Sequence, residues 1–151
     1  MKKIIDNLYL GDRFSAPKET KLRISCAEEI FYEVNDNIED KNQNDILISE
    51  KNDVIYYKFE DYPKLENMKK ETIKNAISQI ENNIANKQIY VHCLWGINRS
   101  ASIVFMYMVR NKLIDGNSYQ ESQKNFWNIY PDHKPNPGWK FFLEKNYPYN
   151  F

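Results

Sequence analysis

The stretch Gln88-Ile89-Tyr90-Val91-His92-Cys93-Leu94-Trp95-Gly96-Ile97-Asn98-Arg99-Ser100-Ala101-Ser102 decides the fold. It begins as an apolar strand, turns through a short loop, and runs from Arg99 into Ile103-Val-Phe-Met-Tyr-Met-Val109. That run predicts a helix from about Arg99 to Asn111, apolar nearly all round and therefore buried. A tight loop between a strand and a helix start is an anion trap. Its backbone N–H groups point inward, and the helix dipole favours negative charge there. Gly96 lets the loop turn without a Cβ clash. Arg99 brings a planar fork that holds two oxygens of one phosphate, as a lysine does not.

The same field acts on Cys93. Amide dipoles and the Arg99 charge favour its thiolate and imply a pKa in the roughly 3.5–7.5 range of activated cysteines. His92 is expected to hydrogen-bond backbone and orient Cys93 rather than transfer protons. Ser100 is placed to donate its hydroxyl to the sulfur when it leaves. Thiolate attack on a phosphate ester needs an acid for the leaving oxygen, and that acid must come from another loop on the same sheet edge. Glu60-Asp61-Tyr62-Pro63 leaves a predicted strand, Val54–Phe59, at that edge. Asp61 is preferred because a side chain on the turn itself reaches across the cleft more easily. Glu60, or an ordinary turn acid with no role, remains the alternative.

Outward from this segment, periodicities alternate. Leu8–Leu10, Leu22–Cys26, Val54–Phe59 and Gln88–His92 suit strands. Residues 65–86 place Leu65, Met68, Ile73, Ala76, Ile77, Ile80 and Ile84 at helical spacing. Ser118 can cap a helix through Trp127, and Asn136-Pro137 opens another carrying Trp139, Phe142 and Leu143. The order implies an α/β fold, a central and largely parallel sheet flanked by helices. Residues 33–53 carry seven acids against two lysines and read as a long surface excursion, with room for a short hairpin around Ile46–Ile48.

With 151 residues the chain fits one domain. Twenty-one basic residues balance 21 acidic ones, which gives no whole-molecule attraction to nucleic acid or acidic lipid. Two cysteines make no disulfide scaffold and suit a reducing, intracellular, cytoplasmic setting. No apolar run approaches a membrane span, and Asp6 and Asn7 interrupt any signal-peptide core. No His, Cys and carboxylate cluster has metal-ligand spacing, so no metal or cofactor is expected. Cys26 reads as a small buried apolar residue, with a resolving thiol for oxidised Cys93 as the alternative. His133, in a Pro-punctuated turn, is expected to be solvated. Phe126-Trp127, Tyr130, Trp139 and Phe141-Phe142 read as core.

The segment Val91-His-Cys-Leu-Trp-Gly-Ile-Asn-Arg-Ser-Ala-Ser102 resembles the signature loop of the small dual-specificity phosphatases among the cysteine-dependent protein tyrosine phosphatases. The similarity covers most of the chain. Ile5–Gly11 resembles the family's opening strand, Ser25–Glu29 falls where its second strand ends, and Asn136–Leu143 is similar to its C-terminal helix. Asp61 lies 93 − 61 = 32 residues before Cys93, a spacing typical of that family's acid. The resemblance implies Cys93 as nucleophile, Arg99 as phosphate clamp, Asp61 as acid then base, and Ser100 as thiolate stabiliser. Leu94, Trp95, Gly96, Ile97 and Asn98 would line the phosphate cradle with Arg99. It further implies a phosphoprotein substrate, phosphorylated on tyrosine or serine/threonine, and a phosphocysteine intermediate, with no nucleic acid or membrane partner.

Three features depart from the family. Trp95 stands where a small residue is usual, residues 33–53 are long and acidic, and no phosphotyrosine-clamping aromatic motif lies near the N-terminus. Gly96-Ile-Asn98-Arg99 also resembles the loop of RNA 5′-phosphatases. Against that rival stand Ser100-Ala101, in place of that group's Thr-Gly, and the neutral charge. Phosphoinositides are disfavoured, because positions 94, 95, 97 and 98 supply no lysine. A non-catalytic phosphate-binding module is the rival outside enzymology.

Overall fold

A computed structural model describes residues 1–35 and 45–151. Among these residues six strands form one sheet, β1 (Lys2–Ile5), β2 (Leu8–Gly11), β3 (Leu22–Ser25), β4 (Ile46–Ser49), β5 (Val54–Tyr57) and β6 (Ile89–His92), in the order β1-β2-β6-β3-β5-β4. The four inner strands are parallel, and β1 and β4 pair antiparallel with β2 and β5 at the two edges. The expected α/β architecture is therefore present, a mixed sheet flanked by helices. β6 is buried along its whole length, which suits the centre of a parallel sheet covered on both faces.

Register sets one apolar face. Leu8 and Leu10 lie beside Ile89 and Val91, these beside Leu22 and Ile24, and Ile24 beside Ile55. All are buried, and α3 (Arg99–Arg110) packs on β2 and β6. Every residue of α3 from Arg99 through Val109 is buried, as an all-round apolar helix requires. α2 (Lys70–Asn83) adds Ile73, Ala76, Ile77 and Ile80 against α3. α4 (Tyr119–Ile129) is capped by Ser118 Oγ, which accepts from the Glu121 N–H at 3.2 Å. α5 (Pro137–Asn146) starts on Pro137 and buries Trp139, Phe142 and Leu143.

Several expectations change. Residues 65–86 do not form one helix. A 3₁₀ turn at Leu65–Asn67 is followed by extended backbone at Met68 and Lys69 before α2 begins. Residues 33–53 are not one excursion: α1 (Glu28–Asn35) takes its start, and β4 forms the expected hairpin with β5. Positions 36–44 of that stretch lie outside the described residues. His133 is not solvated but fully buried, between Ser102 and Gln123 and against the rings of Phe105 and Phe126. Of the aromatic run, Phe126, Tyr130, Trp139 and Phe142 are core, whereas Trp127 and Phe141 are exposed. Among the described residues no helix is long and apolar enough to cross a membrane.

The parallel strands finish at one level, Gly11 beside His92 and His92 beside Ser25, with Ser25 beside Tyr56. The segments leaving those ends carry Cys93, Glu29 and Asp61. The carboxyl edge of a parallel sheet is where such folds gather ligands.

Candidate active site

Residues 93–98 curl between β6 and α3. Gly96 has φ 75°, in the left-handed region, and a Cβ there would come within 2.6 Å of the Gly11 carbonyl carbon and oxygen. Glycine is thus required twice, for conformation and for clearance over β2. The loop's carbonyls are taken from outside. Arg13 N–H donates to Leu94 O at 3.3 Å, the Tyr130 hydroxyl to Gly96 O at 2.7 Å, and Lys134 N–H to Ile97 O at 2.9 Å. Among the described residues no backbone acceptor takes the N–H groups of Leu94, Trp95, Ile97 or Asn98. The loop is a nest of free amide donors, the arrangement that binds oxyanions.

Cys93 is buried at its base. The Ser100 hydroxyl donates to Sγ at 3.2 Å and the Gly96 N–H at 3.3 Å. Burial alone pushes the thiol up. The Ser100 hydroxyl and amide, the Arg99 charge and the Gly96 amide together outweigh it and hold Cys93 below an ordinary thiol. His92 Nδ1 sits 3.1 Å from the Cys93 carbonyl. Burial lowers His92 to about 4, so at neutral pH it is an uncharged ring with Nδ1–H donating to that carbonyl. It orients backbone, as expected.

Arg99 is 2% exposed and reaches the same cradle from the first turn of α3. Glu29, in the first turn of α1, holds it bidentately: Nη1 donates to Oε1 at 2.5 Å and Nη2 to Oε2 at 3.0 Å. Nη1 also donates to the Phe59 carbonyl at 3.0 Å. These bonds take three of the guanidinium's five N–H groups. The remaining Nη2–H and Nε–H lie side by side. Among the described residues Nε has no hydrogen-bond partner; its 3.4 Å contact with Asp61 Oδ1 is an ion pair without hydrogen-bond geometry. A parallel pair of charged donors, one of them buried and unpartnered, fits two oxygens of a phosphate. The bond from Arg99 in turn holds the Glu29 carboxyl below its ordinary value.

Asp61 faces Arg99 from the segment after β5, 43% exposed, at the mouth rather than the floor. Glu60 contributes its carbonyl to the Trp139 indole N–H at 2.9 Å. The structure thus brings together Cys93, Arg99, Ser100 and Asp61, with Gly96 and Asn98 in the loop between them. Trp95 is 77% exposed and Ile97 partly so, both on the rim. Cys26 is fully buried beside the cradle, and burial followed by the nearby Cys93 charge raises its thiol well above the ordinary range. Glu29 was not legible as Arg99's partner. A buried arginine announces that some carboxylate must pair with it, but not which of 21 acids.

The family model described as "Dual specificity phosphatase, catalytic domain" matches residues 8–142. Solved structures agree in fold. DUSP15 is 21% identical at TM-score 0.69, covering 97% of this chain and 86% of its own. Human DUSP28 is 16% identical at TM-score 0.67, covering 96% and 94%. The human tyrosine phosphatase-like serine/threonine/tyrosine-interacting protein is 18% identical at TM-score 0.65, covering 96% and 93%. No curated protein matches the chain in sequence. At these identities the solved structures speak for the fold; the family match speaks for descent. The chain belongs to the dual-specificity phosphatase family and carries its phosphatase catalytic domain.

Proposed function

We propose that the chain hydrolyses phosphotyrosine and phosphoserine/threonine in proteins, through a phosphocysteine intermediate and without a metal or cofactor. The observation that carries this reading is the pairing of Cys93 Sγ, held by the Ser100 hydroxyl at 3.2 Å, with the two unclaimed donors of Arg99. Thiolate Sγ attacks phosphorus while Arg99 and the loop amides bind the equatorial oxygens. The S–P bond forms as the ester P–O bond breaks, and Asp61 gives its proton to the leaving oxygen. Asp61 then takes a proton from the water that cleaves S–P, and Ser100 donates to the departing thiolate. A nucleophile that must stay reduced supports a cytoplasmic location. Residues 1–151 act as one catalytic unit, supported by a core that, among the described residues, joins α1 to α5 to the sheet.

Cys93→Ser should abolish turnover while phosphate-analogue binding survives, since a serine hydroxyl is too poorly ionised to attack but leaves the amide cradle unchanged. Residual activity above a trace reassigns the nucleophile, and loss of turnover with EDTA, restored by metal, sinks the metal-free chemistry. Substrate class is tested by comparing kcat/KM for phosphotyrosine peptide, phosphothreonine peptide and 5′-triphosphorylated RNA. A clear preference for RNA replaces the protein substrate with the nucleic-acid one.

A further inference from the structure

Asn98 ends the phosphate loop, one residue before Arg99, and is 5% exposed. Its side-chain hydrogen bonds all leave the loop. Nδ2 donates to the Asp61 carbonyl at 2.8 Å and to Asp61 Oδ1 at 2.9 Å, while Oδ1 accepts from the Asn136 N–H at 2.8 Å. Asn136 Nδ2 donates to the same Asp61 carbonyl at 2.8 Å. A backbone N–H only donates, so the Asn98 oxygen must face Asn136 and its NH₂ must face Asp61. Flipping the amide would set donor against donor and acceptor against two acceptors. The phosphate loop, the acid loop and the start of α5 are thus tied at one point, and the donor aimed at the carboxyl cannot turn away.

Resting on the reading of Asp61 as the acid, we propose that Asn98 is a positioning residue that fixes which oxygen of Asp61 carries the transferable proton. An O–H on Oδ1 would oppose the Asn98 N–H donor to donor, so the neutral acid holds its proton on Oδ2. The Arg99 Nε, 3.4 Å from Oδ1, acts in the same direction. In the first step the proton on Oδ2 passes to the leaving oxygen as that oxygen takes the electron pair of the broken P–O bond. In the second, Oδ2 recovers a proton from the attacking water as the S–P bond breaks. Arg99, the cation in contact with Asp61, is itself under the charges of Glu29 and Cys93.

The test is kcat/KM on phosphothreonine peptide, phosphotyrosine peptide and p-nitrophenyl phosphate, with inhibition by inorganic phosphate reporting on the cradle. Asn98→Ala should lose roughly ten- to a hundredfold on phosphothreonine, the size of a misplaced catalytic group, and far less on the activated aryl ester. Inorganic phosphate should inhibit about as well as before. Added to Asp61→Asn, Asn98→Ala should bring no further leaving-group-dependent loss. Equal slowing of all three esters overturns the role and makes Asn98 a loop-shaping residue. If Asn98→Ala does not fold, the isosteric Asn98→Asp decides. It keeps an acceptor for the Asn136 N–H but removes the donor facing Asp61 Oδ1, so its loss must again be larger on phosphothreonine than on p-nitrophenyl phosphate, and equal losses overturn the proposal. Asp61→Asn without any leaving-group dependence instead removes Asp61 as the acid, and the role of Asn98 with it.

Discussion

Glu29 grips Arg99 across 70 residues of sequence by two parallel hydrogen bonds, and in doing so selects which edge of the guanidinium remains free. An arginine held only by its own side chain could present any of three edges to a phosphate. Held by Glu29 and the Phe59 carbonyl, it presents one.

Glu29→Gln should therefore damage catalysis although Glu29 touches no substrate. Glutamine keeps the shape but sets an NH₂ against one of the Arg99 nitrogens. A decline of roughly tenfold to a hundredfold in kcat/KM is expected, carried mostly by kcat. Arg99→Lys should lose more, because an ammonium cannot supply two parallel bonds. Steady-state kinetics on one peptide checks both, and a Glu29→Gln enzyme with wild-type kcat would release Glu29 from any part in orienting the fork.

Ser100→Ala should move the acidic limb of the pH–rate profile to higher pH. The Ser100 hydroxyl is the largest of the contacts that favour the Cys93 thiolate against burial. Without it the thiol ionises later as pH rises, so at any pH on that limb less nucleophile is present. Thiolate absorbance or iodoacetamide rates across pH measure the shift directly; an unchanged limb would assign thiolate stabilisation to the amides and Arg99 alone.

Trp95→Ala should lower the preference for phosphotyrosine over phosphothreonine. An exposed indole on the rim meets a flat phenyl ring better than a threonine methyl, and such a contact is worth about 0.5–1.5 kcal/mol. The ratio of kcat/KM values should fall about two- to tenfold. A constant ratio takes Trp95 out of specificity.

Stability should fall on acidification partly through His133. Free imidazole titrates near 6.5, whereas burial lowers His133 to about 3. Between those values the unfolded chain binds a proton that the folded chain refuses. This contribution is fully present above pH 6.5 and is lost as pH falls toward 3. His92, lowered to about 4 by burial, adds in the same direction over a narrower window. Thermal melts of His133→Gln should show a shallower dependence of Tm on pH between 4 and 6.5, and an unaltered slope would mean His133 titrates normally in the fold.

Much of this architecture could be read from local sequence because a single segment, 88–111, encodes strand, loop and helix without interruption. Ser118 and Asn136-Pro137 marked helix starts for equally local reasons. The failures share a different cause. α1 offers only Ile30 and Phe31 as buried residues, and its acidic face merges with the acidic stretch beyond it. β1 exposes both its lysines. His133 looks solvated in its own window because the rings that enclose it, Phe105 and Phe126, come from α3 and α4. Glu29 and Asn136 touch the site only through pairings that depend on how the sheet orders its strands. Residue type and spacing identified the atoms for the chemistry, while the partners that aim those atoms are set by topology.

The carbonyls of Leu94, Gly96 and Ile97, each bonded away from the cradle, carry a consequence for ligand recognition. Water reorients to solvate a dianion and loses entropy each time it does so. Here the dipoles already face the place where charge will sit, held by Arg13, Tyr130 and Lys134 in the surrounding fold. A phosphate entering the cradle finds no loop left to order, so the cost of arranging its solvation shell was met once, during folding. Affinity for phosphate and the stability of the loop are then two readings of one set of hydrogen bonds: loosening Tyr130 from Gly96, a contact no substrate reaches, should weaken anion binding as surely as a change inside the cradle.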